Sequence, residues 1–172
     1  MSKNILLPTD LTITSLYPIH EICKNTGGEP CNIYLIHTLD TPTGIMDLLF
    51  LQERKPYKML SPSFLEALEM LRRKYASVIH LLSFEFLYGH TRAYLRHYME
   101  GRNITAIYML KGYEYKSTLD QSVNSISTLH KCKLPVIQVE RAAQAGVGTL
   151  TTLLYKSPEN EPLVRSGEKI PA

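Results

Sequence analysis

The sequence predicts a doubly wound α/β domain, an open parallel sheet with helices on both faces. Three observations carry that prediction. Short apolar runs recur near residues 4–7, 31–38, 83–88, 103–110 and 134–139, each bounded by turn residues. Stretches with helical spacing lie between them, and the first strand, helix and strand fit within residues 4–38, a βαβ unit that is right-handed by default.

The first run, Asn4 to Leu7, is apolar without alternation and closed by Pro8-Thr9-Asp10, as in a strand buried on both faces. Thr12, Thr14 and Ser15 offer caps for a helix beginning near Ser15, with Leu16, Ile19, His20 and Cys23 on one side and Gly27-Gly28 as its stop. Pro18 fits only in the first turn, where its missing N–H would have lacked a partner. The second strand, 31–38, is rich in β-branched and aromatic residues. Residues 39–60 are irregular, with a turn at Thr41-Pro42-Thr43-Gly44 and an apolar patch at 45–51 that reads as a short helix or a lid.

Ser61-Pro62 is an N-cap followed by proline at the first helical position, and Phe64, Leu68, Leu71 and Tyr75 then share a helical face. A third strand is expected at 83–88, ended by Gly89. Thr91 caps a helix carrying Tyr94, Leu95, Tyr98 and Met99, with Gly101 as its stop. The fourth strand begins near Asn103. Thr118-x-x-Gln121 matches a capping box and predicts a helix over 119–131, with Leu119, Val123, Ile126 and Leu129 inward. A fifth strand follows at 134–139, its proline near the start where a lost donor does least harm. Residues 1–140 thus read as one α/β domain. Residues 141–172 read as a C-terminal extension, with a strand-like stretch at 149–155 suited to pairing with a sheet edge and a tail rich in proline, glycine and charge.

At 172 residues, 44% hydrophobic and 20% charged, the chain suits a single domain with a full core. The net charge of +3 is mild, and Lys and Arg are spread except around His90, Arg92, Arg96, His97 and Arg102, which read as a solvated helix face. No nucleic-acid partner is expected. Cys23, Cys31 and Cys132 form an odd set without a C-x-x-C pair, which argues against a disulfide framework and a metal site. The apolar run near the N-terminus is too short for a signal peptide and no window reaches membrane-spanning length, so no membrane partner is expected and the reading is a cytoplasmic protein.

Residue by residue, the chain resembles the universal stress protein family. Lys3-Asn4-Ile5-Leu6-Leu7-Pro8-Thr9-Asp10 is similar to that family's K-x-I-L-V-P-T-D opening, and Leu35-Ile36-His37 to its L-L-H-V second strand. Gly89 stands where the family has a glycine after the third strand. Ile107-Tyr108-Met109 resembles its I-V-M, Ser122-Val123 its G-S-V, and Pro135-Val136-Ile137-Gln138-Val139 its C-P-V-L-V-V. The resemblance covers about residues 3–139. It implies a five-stranded sheet of the adenine nucleotide alpha hydrolase-like kind, ordered 3-2-1-4-5, and a homodimer paired through the segment from Leu134 to Val139.

The resemblance also implies a ligand site. The family's nucleotide-binding members carry G-x2-G-x9-G-[ST] after the fourth strand, since glycines let backbone N–H groups approach phosphates at a helix N-terminus. Here the loop from Leu110 to Ser122 keeps only Gly112, places Gln121 at the last glycine, is about two residues short and carries Glu114 and Asp120. The expectation is a degenerate site without tight ATP binding, although ATP or AMP stays open as a ligand. Asp10, His37, Gly112, Ser122 and Val123 are the candidate ligand-binding residues. Asp10 reads equally as a cap that orders its turn, and His37 more readily as a structural hydrogen-bonding residue.

No G-x-S-x-G elbow, H-E-x-x-H, Walker loop or paired-carboxylate motif occurs, which points to a binding or stress-response module and not an enzyme. The alternative is a nucleotide sensor or weak nucleotide hydrolase using Asp10, His37, Gly112 and Ser122. A third reading gives the apolar patch at 45–51 the role of docking a protein partner.

Overall fold

The computed structural model describes residues 2–41, 44 and 56–141. The apolar patch at 45–51 and the extension beyond Arg141, including 149–155, lie outside the described residues.

Five parallel strands form one sheet: β1 (Lys3–Pro8), β2 (Cys31–Leu39), β3 (Ile79–Tyr88), β4 (Ala106–Leu110) and β5 (Val136–Val139), in the order β3-β2-β1-β4-β5. The fold class and strand order are those expected. The order reverses between β1 and β4, where the register pairs Ile5 with Ala106 and Leu6 with Ile107. Among the described residues four α-helices cover the faces: α1 (Pro18–Asn25), α2 (Pro62–Lys74), α3 (Arg92–Gly101) and α4 (Ile126–His130).

The sheet separates two cores. On one face Ile5, Leu7, Ile33 and Leu35 pack with Ile19 and Ile22 of α1 and Phe64 and Leu71 of α2. On the other, Leu6, Ile36, Ile107 and Met109 pack with Leu95 and Met99 of α3 and Leu129 of α4. This explains the unbroken apolar character of β1, whose successive side chains must satisfy opposite cores. Burying each such side chain stabilises the fold by about 1.5–3 kcal/mol.

The caps expected from sequence are formed: the Ser61 and Thr91 hydroxyls accept the backbone N–H of Phe64 and Tyr94. At the end of α3, Arg102 grips Glu85 of β3 through its guanidinium, at 2.6 and 2.8 Å, and lies 4.3 Å over the Tyr98 ring.

Three boundaries differ from expectation. The first helix enters through a separate 3-10 turn, Ile13–Leu16, because Pro18 cannot donate the hydrogen bond that would fuse the two. Strand β3 starts at Ile79, since Tyr75 ends α2 and the backbone N–H of Cys31 reaches the Val78 carbonyl. The largest correction concerns 119–131: only Ile126–His130 is helical. Thr118 does not cap a helix. Its hydroxyl donates to the backbone carbonyl of Asp10 at 2.7 Å, so a tertiary contact takes the group that a capping box would have used.

Among the described residues no helix is long and apolar enough to cross a membrane, and no cluster of His, Cys, Asp or Glu could hold a metal ion.

Candidate functional site

In a sheet of this order, ligands collect beyond the carboxyl ends of the strands at the point where strand order reverses. Asp10 stands there, just after β1. The turn that carries it is tight: Leu11 adopts a left-handed backbone, φ 67°, and its N–H donates to the Thr9 hydroxyl at 3.1 Å. A non-glycine residue in that region stores about 1 kcal/mol or more, which the surrounding contacts must sustain.

The segment between β4 and α4 returns over this end of the sheet like a strap. Two backbone hydrogen bonds lash it to the end of β2, Asp40 N–H to the Gln121 carbonyl and Val123 N–H to the Thr38 carbonyl, and together they make an antiparallel bridge between Leu39 and Ser122. Tyr113, Glu114 and Tyr115 run extended across the opening, so the two tyrosines share the inner side and Glu114 faces out.

Asp10 has no solvent exposure, and its carboxylate is fully engaged within the chain. Oδ1 accepts the Thr12 N–H at 3.1 Å and the Thr12 hydroxyl at 2.6 Å. Oδ2 accepts the Tyr113 hydroxyl at 2.6 Å and the backbone N–H of Lys116 at 2.9 Å. Burial pushes this carboxyl up, but the four donors outweigh it and hold Asp10 below the ordinary carboxylate range. Tyr113, buried and bonded to an anion, is pushed up to about 12.

His37, at 0% exposure, is equally committed. Its Nδ1–H donates to the Thr9 carbonyl at 2.8 Å, which fixes the tautomer and leaves Nε2 to accept the Ser122 hydroxyl at 2.8 Å. Ser122 Oγ in turn accepts the Leu119 N–H at 3.1 Å. Tyr115 stacks on the imidazole, ring centroids 6.2 Å apart and planes 16° from parallel, with its hydroxyl 3.2 Å from Nδ1. Phe86 closes the opposite side edge-on at 5.6 Å. Burial is the largest influence on His37 and lowers its pKa, against smaller raising effects from the Thr9 carbonyl and Asp10.

Asp10, His37 and Ser122 are therefore brought together. Val123 contributes through its backbone N–H, and Gly112 sits in the turn leaving β4 with φ 64°, a conformation glycine adopts without strain. Both bland readings are realised: Asp10 orders its turn and His37 makes structural hydrogen bonds. Sequence reasoning missed Tyr113, Tyr115 and Thr118. Their signal was the period-two spacing of the tyrosines, which puts both rings on one side of an extended segment. Glu114 and Asp120, expected to set the charge of the loop's ligand side, are exposed, and the groups filling the cleft are the tyrosines.

Among the described residues a cavity of about 10 Å3 lies here, bounded by Asp10, Ser15, Met109, Tyr113, Tyr115 and Ile126. That is room for about one water molecule. A small-molecule site spans about 300–1,000 Å3. The larger space at this end, about 330 Å3, lies beside Met59 and Thr118 to Gln121.

No protein-family model and no curated protein sequence matches the chain. Solved structures do. The hypothetical protein MJ0577 aligns with a TM-score of 0.54 at 18% identity, over 84% of this chain and 99% of that one. The universal stress protein UspA from Lactobacillus plantarum aligns with a TM-score of 0.51 at 15% identity, over 80% of this chain and 97% of that one. At such identities the likeness lies in the arrangement of elements, and with the strand order and the two helical layers it shows that the chain has the universal stress protein fold.

Proposed function

We propose that the chain is a universal stress protein-like regulatory module that acts through protein contacts in the cytoplasm and does not bind ATP tightly. One observation carries this reading: the cleft at the strand-order reversal is occupied by the chain's own Tyr113 and Tyr115, with the carboxylate of Asp10 and both nitrogens of His37 already partnered. A nucleotide entering there would have to displace the Tyr113 hydroxyl and the Lys116 N–H from Asp10 before its ribose or adenine could donate in their place, and its phosphates would meet no glycine-rich cradle in the loop from Leu110 to Ser122. Titration calorimetry with ATP and AMP at millimolar ligand should show no binding heat. Saturable heat would remove the proposal.

The module works in this reading as a homodimer paired through the segment from Leu134 to Val139. Among the described residues β5 is a sheet edge, and Ile137 is 37% exposed on it. An exposed apolar edge strand is a template for pairing with another chain. A size-exclusion column with light scattering should return twice the chain mass at micromolar concentration; a monomer would count against the dimer while leaving the nucleotide result untouched.

A second reading, a nucleotide sensor or weak hydrolase using Asp10, His37, Gly112 and Ser122, is favoured by one detail. Tyr115 lies flat against His37, as a planar ligand ring would in its place. A sensor would open the strap to exchange ring for ring. The double variant Tyr113→Ala, Tyr115→Ala tests this: AMP binding gained by the variant supports a cleft that is occluded but intact, and continued silence leaves the sensor without a site.

A further inference from the structure

At the opposite end of the sheet, a cavity of about 560 Å3 opens between α3 and the connection from α4 to β5. Its size lies within the range of about 300–1,000 Å3 typical of small-molecule sites. Met99, Ile104 and Cys132, all buried, and the partly buried Leu134 make an apolar floor. Arg96, Glu100, Asn103 and Lys133 form the rim.

The rim is net positive, with Arg96 and Lys133 against Glu100. Arg96 and Glu100 are 3.6 Å apart with both side chains more than half exposed, a pairing worth little in water. Lys133 pairs with no carboxylate among the described residues. The Cys132 thiol donates to the Thr128 carbonyl at 3.3 Å, and burial raises its pKa while Arg92 and Arg96 pull it down, so positive potential reaches the cavity floor. Asn103 and Lys133, on opposite walls, both hold left-handed backbone, φ 50° and 60°. For lysine that conformation costs about 1 kcal/mol, and it sets a cation at the mouth of an apolar recess.

We propose that this cavity binds a small amphipathic carboxylate, its apolar body against Met99, Ile104, Cys132 and Leu134 and its carboxylate between Arg96 and Lys133. The apolar floor supplies affinity by area removed from water, and the two cations supply selection of an anion over a neutral molecule of the same shape. The site is independent of the plugged cleft and of the reading built on it.

The test is a titration of the full chain followed by amide chemical shifts in two-dimensional NMR, with decanoate and 2-naphthoate as probes and 1-decanol as the neutral control. Decanoate or 2-naphthoate should shift the amides of Met99, Asn103, Ile104 and Lys133 saturably, and whichever binds tighter assigns an acyl or an aryl body. Arg96→Glu and Lys133→Glu, both surface changes that leave the fold intact, should each weaken the carboxylates at least tenfold. Leu134→Trp should abolish binding by filling the recess, provided its amide dispersion stays native. The proposal is overturned by carboxylates that shift no cavity amide up to millimolar concentration, by equal binding of 1-decanol, or by unchanged affinity in both charge-reversed variants.

Discussion

At the carboxyl ends of β1 and β4 the described residues enclose a cavity of about 10 Å3, whereas at the amino ends of β4 and β5 they leave about 560 Å3 open. At the first, the two polar side chains nearest the strand-order reversal are spent on the protein: Asp10 on four donors, His37 on Thr9 and Ser122. At the second, among the described residues, Lys133 pairs with no carboxylate and Arg96 pairs with Glu100 over a long, exposed contact. The rule that ligands gather at the carboxyl ends thus describes where the sheet's geometry offers a site. Whether the offer stands depends on what the loops do with it.

The largest effect should come from removing the centre of the plug. Asp10→Ala leaves the Tyr113 hydroxyl, the Lys116 N–H and both Thr12 donors without their acceptor, and should lower stability by about 3–4 kcal/mol in urea unfolding. A loss below about 1 kcal/mol would mean that the strap is held by packing and not by the carboxylate, and the contrast between the two ends would lose its polar half.

Acid should weaken the plugged end while leaving the open one alone. Asp10 and His37 both bind fewer protons folded than unfolded, so their stability is present at high pH and lost as pH falls, below about 6.5 for His37 and below about 3.8 for Asp10. His20 confounds this. Half-buried on α1 with its Nδ1 2.6 Å from the Tyr75 hydroxyl, it is pushed down to about 4, first by desolvation and then by Lys74 and Lys24. It should alone cost on the order of 1–2 kcal/mol between pH 7 and pH 5. Repeating the pH series in His20→Gln isolates the share of the cleft, and a flat profile there would show that protonating His37 does not disturb the plug.

Arg102 anchors the end of α3, next to the open cavity. Arg102→Ala should cost about 1–2 kcal/mol through the lost grip on Glu85 and the lost stacking on Tyr98. The smallest effect has the opposite sign. Lys133→Gly relieves a left-handed lysine and should stabilise the chain by about 0.5–1 kcal/mol while weakening carboxylate binding, a separation of stability from ligand affinity that Asp10 cannot show.

Much of the frame could be read from the residues. Unbroken apolar runs gave β1 and β2 because each side of the sheet has its own core, and Ser61 and Thr91 gave two helix starts because capping is local. The strap was not legible for the converse reason. Thr118-x-x-Gln121 has the local form of a helix start, and only the position of Asp10 more than a hundred residues earlier shows that its hydroxyl is spent elsewhere. Tyr113 and Tyr115 carried a weak spacing signal, but nothing local says which side of an extended segment meets the cleft. The cavity floor reads in sequence as ordinary core, since an apolar side chain beside a void and one beside a neighbour are the same letter.

The two backbone hydrogen bonds between the strap and the end of β2, together with the Asp10 contacts, join segments separated by up to 108 residues. Closing so long a loop comes at an entropic cost that the β1–β2 pairing, whose partners lie 28 residues apart, does not bear, so we expect the plug to form after that pairing. Pulse-labelled hydrogen exchange would then show the amides of Lys116 and Val123 gaining protection after those of β1 and β2; simultaneous protection would refute it. A newly made chain would therefore pass through a stage with Asp10 and His37 still open to solvent, which makes folding itself the interval in which this cleft could take in a guest.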